Sequence, residues 1–286
     1  MELMVHPGIG DISWLLSKLS TVGEDFDLLI AEDLKTRRSL PLKDMVPFIR
    51  SAGYGGQEFY YVLSQCGNSL FSEYREAEAK GKRLFMTVNN WLEKGNRIEG
   101  FLPDLDTDYH YPISGSKEEV DFAEETVSRH PAIGIYTSSF GGIHNWRAWS
   151  PFEWLEFMTY VKKEIPEATF YLIGAEWDLD IRDEICRGMQ HYKLDYVDLY
   201  GRTTLGEALE IIRRLDYFAG FASGLTILAD VVNTPTLMLY PNYLRPMMDA
   251  WPDPMSLATG THKGLVWDRP ISIFSATKHL VKKALA

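Results

Sequence analysis

The sequence predicts an α/β protein of two Rossmann-like domains, each a parallel sheet covered by helices, which face one another across a cleft. Short apolar runs alternate with amphipathic helical patterns along most of the 286 residues, as is typical of parallel sheets. In both halves a strand is followed by a glycine turn, at residues 8–10 and 222–224. The alternation restarts after a polar, turn-rich stretch at residues 111–117 and a charged helix at 118–128, which indicates a second domain.

The N-terminus predicts a strand, a glycine loop and a helix. Residues 2–6 form the strand, Gly8 and Gly10 lie in the loop, and the helix covers residues 12–19. The loop lacks the third glycine of a dinucleotide-binding fingerprint. Asp11 is expected at the helix N-cap, where it either only caps the helix or holds a carboxylate at the edge of the cleft. Both interpretations stay open.

The rest of the first half is less regular. Strands are predicted at residues 27–31 and 84–88, and a helix broken near a proline at 42–51. Asn90 and Glu93 lie in a polar cluster around a tryptophan. Such a cluster either binds a polar acceptor or forms a capped turn over a buried indole.

The second half has clearer signals. Its predicted strands include residues 132–136, 169–173 and 217–221. Two helices open with capping boxes, one formed by Ser150 and Glu153 and the other by Thr204 and Glu207. These boxes fix the starts of two helices that alternate with the strands.

The turn after residues 217–221 is a candidate anion site. It consists of Ala222, Ser223 and Gly224, and a helix is predicted from residue 225. Small residues at a helix N-terminus leave backbone N–H groups open to a phosphate, which the helix dipole also favours. The alternative is that Ser223 merely caps the helix.

Composition excludes several classes of function. The net charge is −11, from 40 acidic and 29 basic residues, which argues against a general nucleic-acid binder. No apolar run approaches the ~20 residues of a membrane helix, so no membrane span and a cytoplasmic location are expected. Cys66 and Cys186 lie far apart without metal-ligand spacing, and no metal site is expected.

Several short motifs occur in a fixed order along the chain. They are Gly10-Asp11, Tyr136-Thr137-Ser138-Ser139, Arg147-Ala148-Trp149, Gly174-Ala175-Glu176, Gly201-Arg202-Thr203-Thr204-Leu205 and Ser223-Gly224-Leu225. By these motifs the second half resembles the glycosyltransferases of family 9, heptosyltransferase-like enzymes of the GT-B architecture. Two places depart from that family's pattern, because its usual aspartate and histidine are here Ala222 and Ile227.

The resemblance implies an inverting, metal-independent transfer from a nucleotide-diphosphate sugar, with Asp11 as general base. This donor is a co-substrate, and no cofactor is expected. The implied donor-binding residues are Thr137, Ser138 and Arg147 at the diphosphate, Ser223, Gly224 and Leu225 as backbone donors, Glu176 at the ribose, and Arg202, Thr203 and Thr204 beside the base. The expected acceptor-side residues are Gly8, Gly10, Asn90 and Glu93.

The expected organisation is an acceptor-side domain at 1–115, a nucleotide-sugar-binding domain at 116–272 and a helix at 273–286 that crosses back to the first domain. Two alternatives stay open, a nucleotide-sugar epimerase and a non-catalytic protein that binds nucleotide sugars or a partner. The acceptor is open among a glycan, a modified nucleobase and a protein. We expect a monomer or a weak homo-oligomer.

Overall fold

Two parallel sheets organise the part of the chain that the computed structural model describes. That part is residues 2–5, 8–31, 41–55, 60–62, 83–86, 102, 104–137, 149–221, 223–241 and 262–267. The parallel α/β class predicted from the sequence is therefore confirmed.

The first sheet has five strands in the order β3-β2-β1-β5-β4, and all of its neighbouring strands are parallel. The strands are β1 (Glu2–Val5), β2 (Phe26–Ala31), β3 (Ile49–Gly55), β4 (Tyr60–Val62) and β5 (Arg83–Met86). Helix α1 (Ile9–Leu19) connects β1 to β2, and the short helix α2 (Leu42–Met45) precedes β3.

The second sheet has six parallel strands in the order β11-β10-β9-β6-β7-β8. The strands are β6 (Ala132–Tyr136), β7 (Thr169–Leu172), β8 (Tyr196–Asp198), β9 (Tyr217–Phe221), β10 (Thr236–Pro241) and β11 (His262–Trp267). The helices are α3 (Lys117–Thr126), α4 (Pro151–Glu164), α5 (Leu179–His191), α6 (Leu205–Arg214) and α7 (Gly224–Val231), with a 3-10 turn at Glu176–Asp178.

Both predicted capping boxes are confirmed. The Ser150 hydroxyl accepts from the backbone N–H of Glu153 at the start of α4, and Thr204 and Glu207 make the same arrangement at α6. These boxes satisfy N–H groups that have no partner inside the helix. Because the bonds join residues three positions apart, both helix starts could be predicted from the sequence.

Two local predictions were wrong. Helix α1 begins at Ile9 with Gly8 as its N-cap, so Asp11 lies in the first turn rather than at the cap. The helix predicted over residues 42–51 does break near Pro47, but it ends at Met45 and the chain continues as strand β3 rather than as a helix. Pro47 accounts for this change, because the residue before a proline disfavours helical geometry, and Val46 is extended with φ −116° and ψ 115°.

The hydrophobic core is continuous between the two halves. Helix α1 packs against α7, and a single cluster of buried side chains joins Ile12 and Leu16 of α1 to Leu228 and Val231 of α7. Burial of apolar surface is the main driving force for such association. The N-terminus of α1, after β1, therefore has a fixed place beside the N-terminus of α7, after β9.

The segment between the halves, residues 111–116, is attached to both. The Tyr111 hydroxyl lies 2.8 Å from the Ser13 Oγ of α1, and the Gly115 N–H donates to Glu210 Oε1 of α6 at 2.8 Å. The boundary predicted at 115/116 falls in this segment. The division into domains stays a prediction, and the predicted crossing helix at 273–286 lies outside the described residues. Among the helices described, none has the length and apolar character needed to cross a membrane.

Candidate functional site

The turn after β9 has the features expected of an anion site. Ser223 is the N-cap of α7, its Oγ accepts from the Thr226 N–H, and its own N–H donates to Thr226 Oγ1 at 2.9 Å. Ser223, Gly224 and Leu225 are each partly exposed. The first turn of a helix presents N–H groups without intrahelical partners and the positive end of the dipole. Ser223 is thus a cap, and the helix terminus it caps can still receive an anion.

The first turn of α1 lies directly against this helix terminus. A Cβ built on Gly10 would lie 3.6 Å from the Gly224 Cα, and one built on Gly224 would lie 3.2 Å from the Gly10 backbone nitrogen. Such close approach of two backbones requires residues without side chains. Asp11, partly buried, follows Gly10 in this turn. The two glycine turns predicted separately from the sequence therefore meet.

Ile227 occupies the position at which the family pattern has histidine. Its side chain is 3% exposed, and its Cδ1 would lie 2.8 Å from a Cβ on Gly10. The apolar side chain of Ile227 therefore packs between α1 and α7. No imidazole is available from this position to contact a donor sugar.

Thr137, at the end of β6, is fully buried. Its Oγ1 lies 2.5 Å from the Tyr200 hydroxyl. Burial raises the pKa of Tyr200 well above the usual range, so this hydroxyl stays protonated. The Thr137 side chain is therefore directed into the protein. Its hydrogen bond with Tyr200 fixes the position of the end of β6.

The turn after β7 brings Glu176 beside the turn after β8. Gly201 N–H donates to the Gly174 carbonyl at 2.8 Å, and a Cβ on Gly201 would lie 3.6 Å from the Glu176 Cγ. Asp178 is fully buried and accepts from the Ala175 N–H at 2.8 Å. Glu176 itself is exposed. Two of the regions predicted to contact the nucleoside are thus adjacent.

Arg202 is exposed and forms an ion pair with Asp198, with 3.2 Å between Nη2 and Oδ2. Asp198 also accepts two bonds from the Arg182 guanidinium. These groups line a cavity of about 550 Å³ between α5 and β8. Arg202 therefore has a carboxylate partner, which holds its guanidinium at the end of the edge strand.

The two threonines after Arg202 differ in their surroundings. Thr203 is partly exposed. Thr204 is the N-cap of α6, and its hydroxyl also donates to Glu119 Oε1 at 2.7 Å. The Thr204 side chain is thus committed to protein contacts.

Four candidates lie outside the described residues, and their predicted roles stay predictions. They are Ser138, Arg147, Asn90 and Glu93. Among the residues described, no group of three or more histidine, cysteine, aspartate or glutamate side chains could hold a metal ion.

Sequence reasoning missed Tyr200 and Asp178 as organisers of these turns. The signal available in the sequence is the glycine after Tyr200, because glycine commonly marks a turn at the end of a strand. In the structure this glycine, Gly201, has φ +65°. The burial of Tyr200 depends on partners distant in sequence, such as Thr137. No local pattern reports such a contact.

Two parallel sheets with adjoining helix termini are the features expected of the α/β GT-B type that the sequence resemblance implied. The model of the family "Glycosyltransferase family 9 (heptosyltransferase)" matches residues 103–253, more than half of the chain. The chain belongs to this family, and it is a glycosyltransferase. The family predicted from the short motifs is therefore confirmed.

Solved structures share the fold at low sequence identity. The E. coli ADP-heptose LPS heptosyltransferase II is 15% identical with a TM-score of 0.66, over 100% of this chain and 99% of that one. A family 9 glycosyl transferase from Veillonella parvula DSM 2008 is 11% identical with a TM-score of 0.67, over 99% and 97%. The E. coli heptosyltransferase WaaC with ADP is 8% identical with a TM-score of 0.64, over 99% and 100%. No curated protein matches the chain significantly.

Proposed function

We propose that this chain moves a sugar from a nucleotide-diphosphate sugar to an acceptor hydroxyl, with inversion and without a metal ion, and that Asp11 is the general base. One observation carries the proposal. The N-terminus of α7, expected to receive the diphosphate, lies against the first turn of α1, which bears Asp11. In a single displacement the acceptor with its base and the leaving diphosphate lie on opposite faces of one anomeric carbon, so the groups that hold them must both be near that carbon.

The reaction is a single displacement. The acceptor oxygen forms a bond to the anomeric carbon as the bond to the diphosphate oxygen breaks, and the leaving diphosphate keeps the electron pair. The acceptor proton passes to Asp11. Attack opposite the leaving group inverts the anomeric centre, and a positioned base of this kind contributes ~10²- to 10⁴-fold in rate.

The charge of the departing diphosphate needs stabilisation. The backbone N–H groups at Gly224 and Leu225 and the α7 dipole suit this role, as does the guanidinium that the sequence motif provides at Arg147. Oriented donors of this type stabilise developing charge without reorganisation during the reaction. The proposal therefore requires no metal ion.

The sugar is the least specified part of the donor. The family's histidine position is the apolar Ile227, which is packed against Gly10 rather than open to a ligand. We infer that this chain recognises its sugar without the family's usual imidazole. The donor panel should include ADP-heptose, because the chain is similar in fold to the E. coli ADP-heptose LPS heptosyltransferase II and to WaaC with ADP or ADP-2-deoxy-2-fluoro heptose.

The acceptor, cytoplasmic location and monomeric or weakly oligomeric state belong to the same proposal. An acidic chain of net charge −11 does not favour a strongly anionic acceptor. A glycan, a modified nucleobase and a protein side chain remain the candidate classes. Sedimentation of the purified chain would report the oligomeric state.

The test is a panel of nucleotide-diphosphate sugars incubated with the chain and candidate acceptors, followed by mass spectrometry. The expected result is release of one nucleoside diphosphate and a matching mass increase on an acceptor. NMR of the product should show an anomeric configuration opposite to that of the donor. Retention of configuration would contradict the single displacement.

The metal-independent step has its own test. Calorimetry with ADP, with and without a chelator, should give equal affinities. Loss of binding on chelation would contradict this part of the proposal and leave the transfer itself standing.

A further inference from the structure

Tyr200 contacts the carboxyl ends of neighbouring strands in the second sheet. It lies just after β8, its side chain is 1% exposed, and its hydroxyl lies 2.5 Å from Thr137 Oγ1 at the end of β6. Its ring fills the space beside Gly174 after β7, where an added Cβ would lie 2.1 Å from the Tyr200 Cδ1. One side chain therefore joins the carboxyl ends of β6, β7 and β8.

Backbone bonds extend this connection. Gly201 N–H donates to the Gly174 carbonyl at 2.8 Å, and Tyr200 N–H donates to Asp198 Oδ1 at 3.2 Å. Asp198 in turn pairs with Arg202. The orientation of the Tyr200 side chain is thus coupled to the turns that carry the predicted nucleoside contacts.

We propose that Tyr200 is a positioning residue for donor binding, holding the end of β6 and the turns after β7 and β8 in the arrangement that a nucleoside diphosphate requires. The proposal rests on the proposed function, since it assumes that the donor binds at these turns. Tyr200 does not touch the donor. It acts because turns held in place before binding lose less entropy when the ligand arrives.

A purely structural tyrosine is the competing interpretation, and the chain offers a matched control. Tyr217 begins β9, is 1% exposed, and within the described part of the chain its hydroxyl has no hydrogen-bond partner. Tyr217→Phe therefore removes a buried hydroxyl from the same sheet without breaking a hydrogen bond to any residue that the structure describes.

The experiment measures ADP affinity by calorimetry and thermal stability in parallel for Tyr200→Phe, Thr137→Val, the double variant, Thr137→Ser and Tyr217→Phe. Tyr200→Phe and Thr137→Val should each weaken ADP binding by about three- to tenfold, which is the range for one hydrogen bond. The double variant should be no weaker than either single variant, because both remove the same bond.

Two variants test whether the hydroxyl pair is responsible. Thr137→Ser keeps the hydroxyl oxygen and should retain wild-type ADP affinity. Tyr217→Phe should also leave ADP affinity unchanged. Hydrogen exchange should be faster at the Gly201 amide in Tyr200→Phe, a readout that does not depend on any ligand.

The outcomes separate this proposal from the one on which it rests. Wild-type ADP affinity in both Tyr200→Phe and Thr137→Val, with reduced thermal stability, would show that the tyrosine is only structural. If Tyr200→Phe does not fold, Thr137→Val alone decides in the same way. A wild type that binds no nucleoside diphosphate would overturn the proposed function and this proposal with it.

Discussion

Replacing Gly224 by alanine should loosen the contact between α1 and α7. The added Cβ would lie 3.0 Å from the Ile9 Cβ and 3.2 Å from the Gly10 nitrogen, where carbon contacts are normally ~3.5 to 4 Å. Both neighbours are backbone or adjacent to it, so α1 itself must move. Overpacking costs ~1 to 3 kcal/mol, and removing a helical glycine returns ~0.5 to 1 kcal/mol. The difference between the central values of these two ranges is a net loss of about 1 kcal/mol in the free energy of unfolding.

Gly10→Ala is the matched comparison, because its added Cβ meets the end of a side chain. The nearest atom is Ile227 Cδ1 at 2.8 Å, which Ile227→Val removes. Ile227→Val alone should cost ~0.5 to 1.5 kcal/mol. In the double variant the new methyl group occupies the vacated space. The loss of stability in the double variant should therefore be about 1 kcal/mol smaller than the sum of the losses in the two single variants.

Urea denaturation of the four proteins in this cycle measures both effects. Additivity of Gly10→Ala and Ile227→Val within about 0.3 kcal/mol would refute the contact, since residues that do not touch behave additively. An unchanged stability in Gly224→Ala would refute the close approach of the two helix termini.

Further predictions concern the turns, the connection between the halves and the first sheet. Gly174→Ala should cost about 2 to 4 kcal/mol, because its Cβ would overlap the buried Tyr200 ring; a loss below 1 kcal/mol by urea denaturation would contradict this contact. Glu210→Gln should cost about 2 kcal/mol by the same assay, because the buried carboxylate accepts from Gly115 N–H and a guanidinium, and stability equal to wild type would contradict this. Asp27 hydrogen-bonds an arginine on β3, which lowers its pKa from 3.8 to about 2. Asp27→Asn should therefore lose about 0.5 to 1 kcal/mol at neutral pH, a difference that shrinks as pH falls below about 4 and is lost only below about 2; a difference as large at pH 2 as at neutral pH would contradict this origin.

The sequence predicts the second sheet well for a physical reason. Strands such as Tyr217–Phe221 are buried on both faces and read as short apolar runs, and the boxes at Ser150 and Thr204 fix helix starts through local bonds. Signals of this kind depend only on neighbours in the chain. They are visible without a structure.

The first sheet is harder to predict because its signals are not local. Strand β3 has the sequence IRSAGYG, which lacks a strand period, and it becomes a strand by pairing with β2. Helix α1 starts after Gly8, which is its N-cap and makes no side-chain hydrogen bond. A local rule favours aspartate as an N-cap, so the sequence alone predicted the cap at Asp11 instead.

The candidate site likewise has features that the sequence predicts and features that it does not. The turns at Gly10 and Ser223 could each be predicted as helix N-termini, but their contact follows from the packing of α1 on α7. The inward direction of Thr137 follows from Tyr200, which is distant in sequence. Long-range burial of this kind leaves no pattern in one sequence.

The turnover of Asp11→Asn relative to wild type tests directly whether Asp11 is the general base. The assay measures release of nucleoside diphosphate from the identified donor at saturation, together with donor affinity. Asp44→Asn is the control, since Asp44 is an exposed acid in the first turn of α2. We predict that Asp11→Asn loses ~10²- to 10⁴-fold in turnover with nearly unchanged donor affinity, while the control retains full turnover. Full turnover in Asp11→Asn would contradict the assignment of Asp11 as the base.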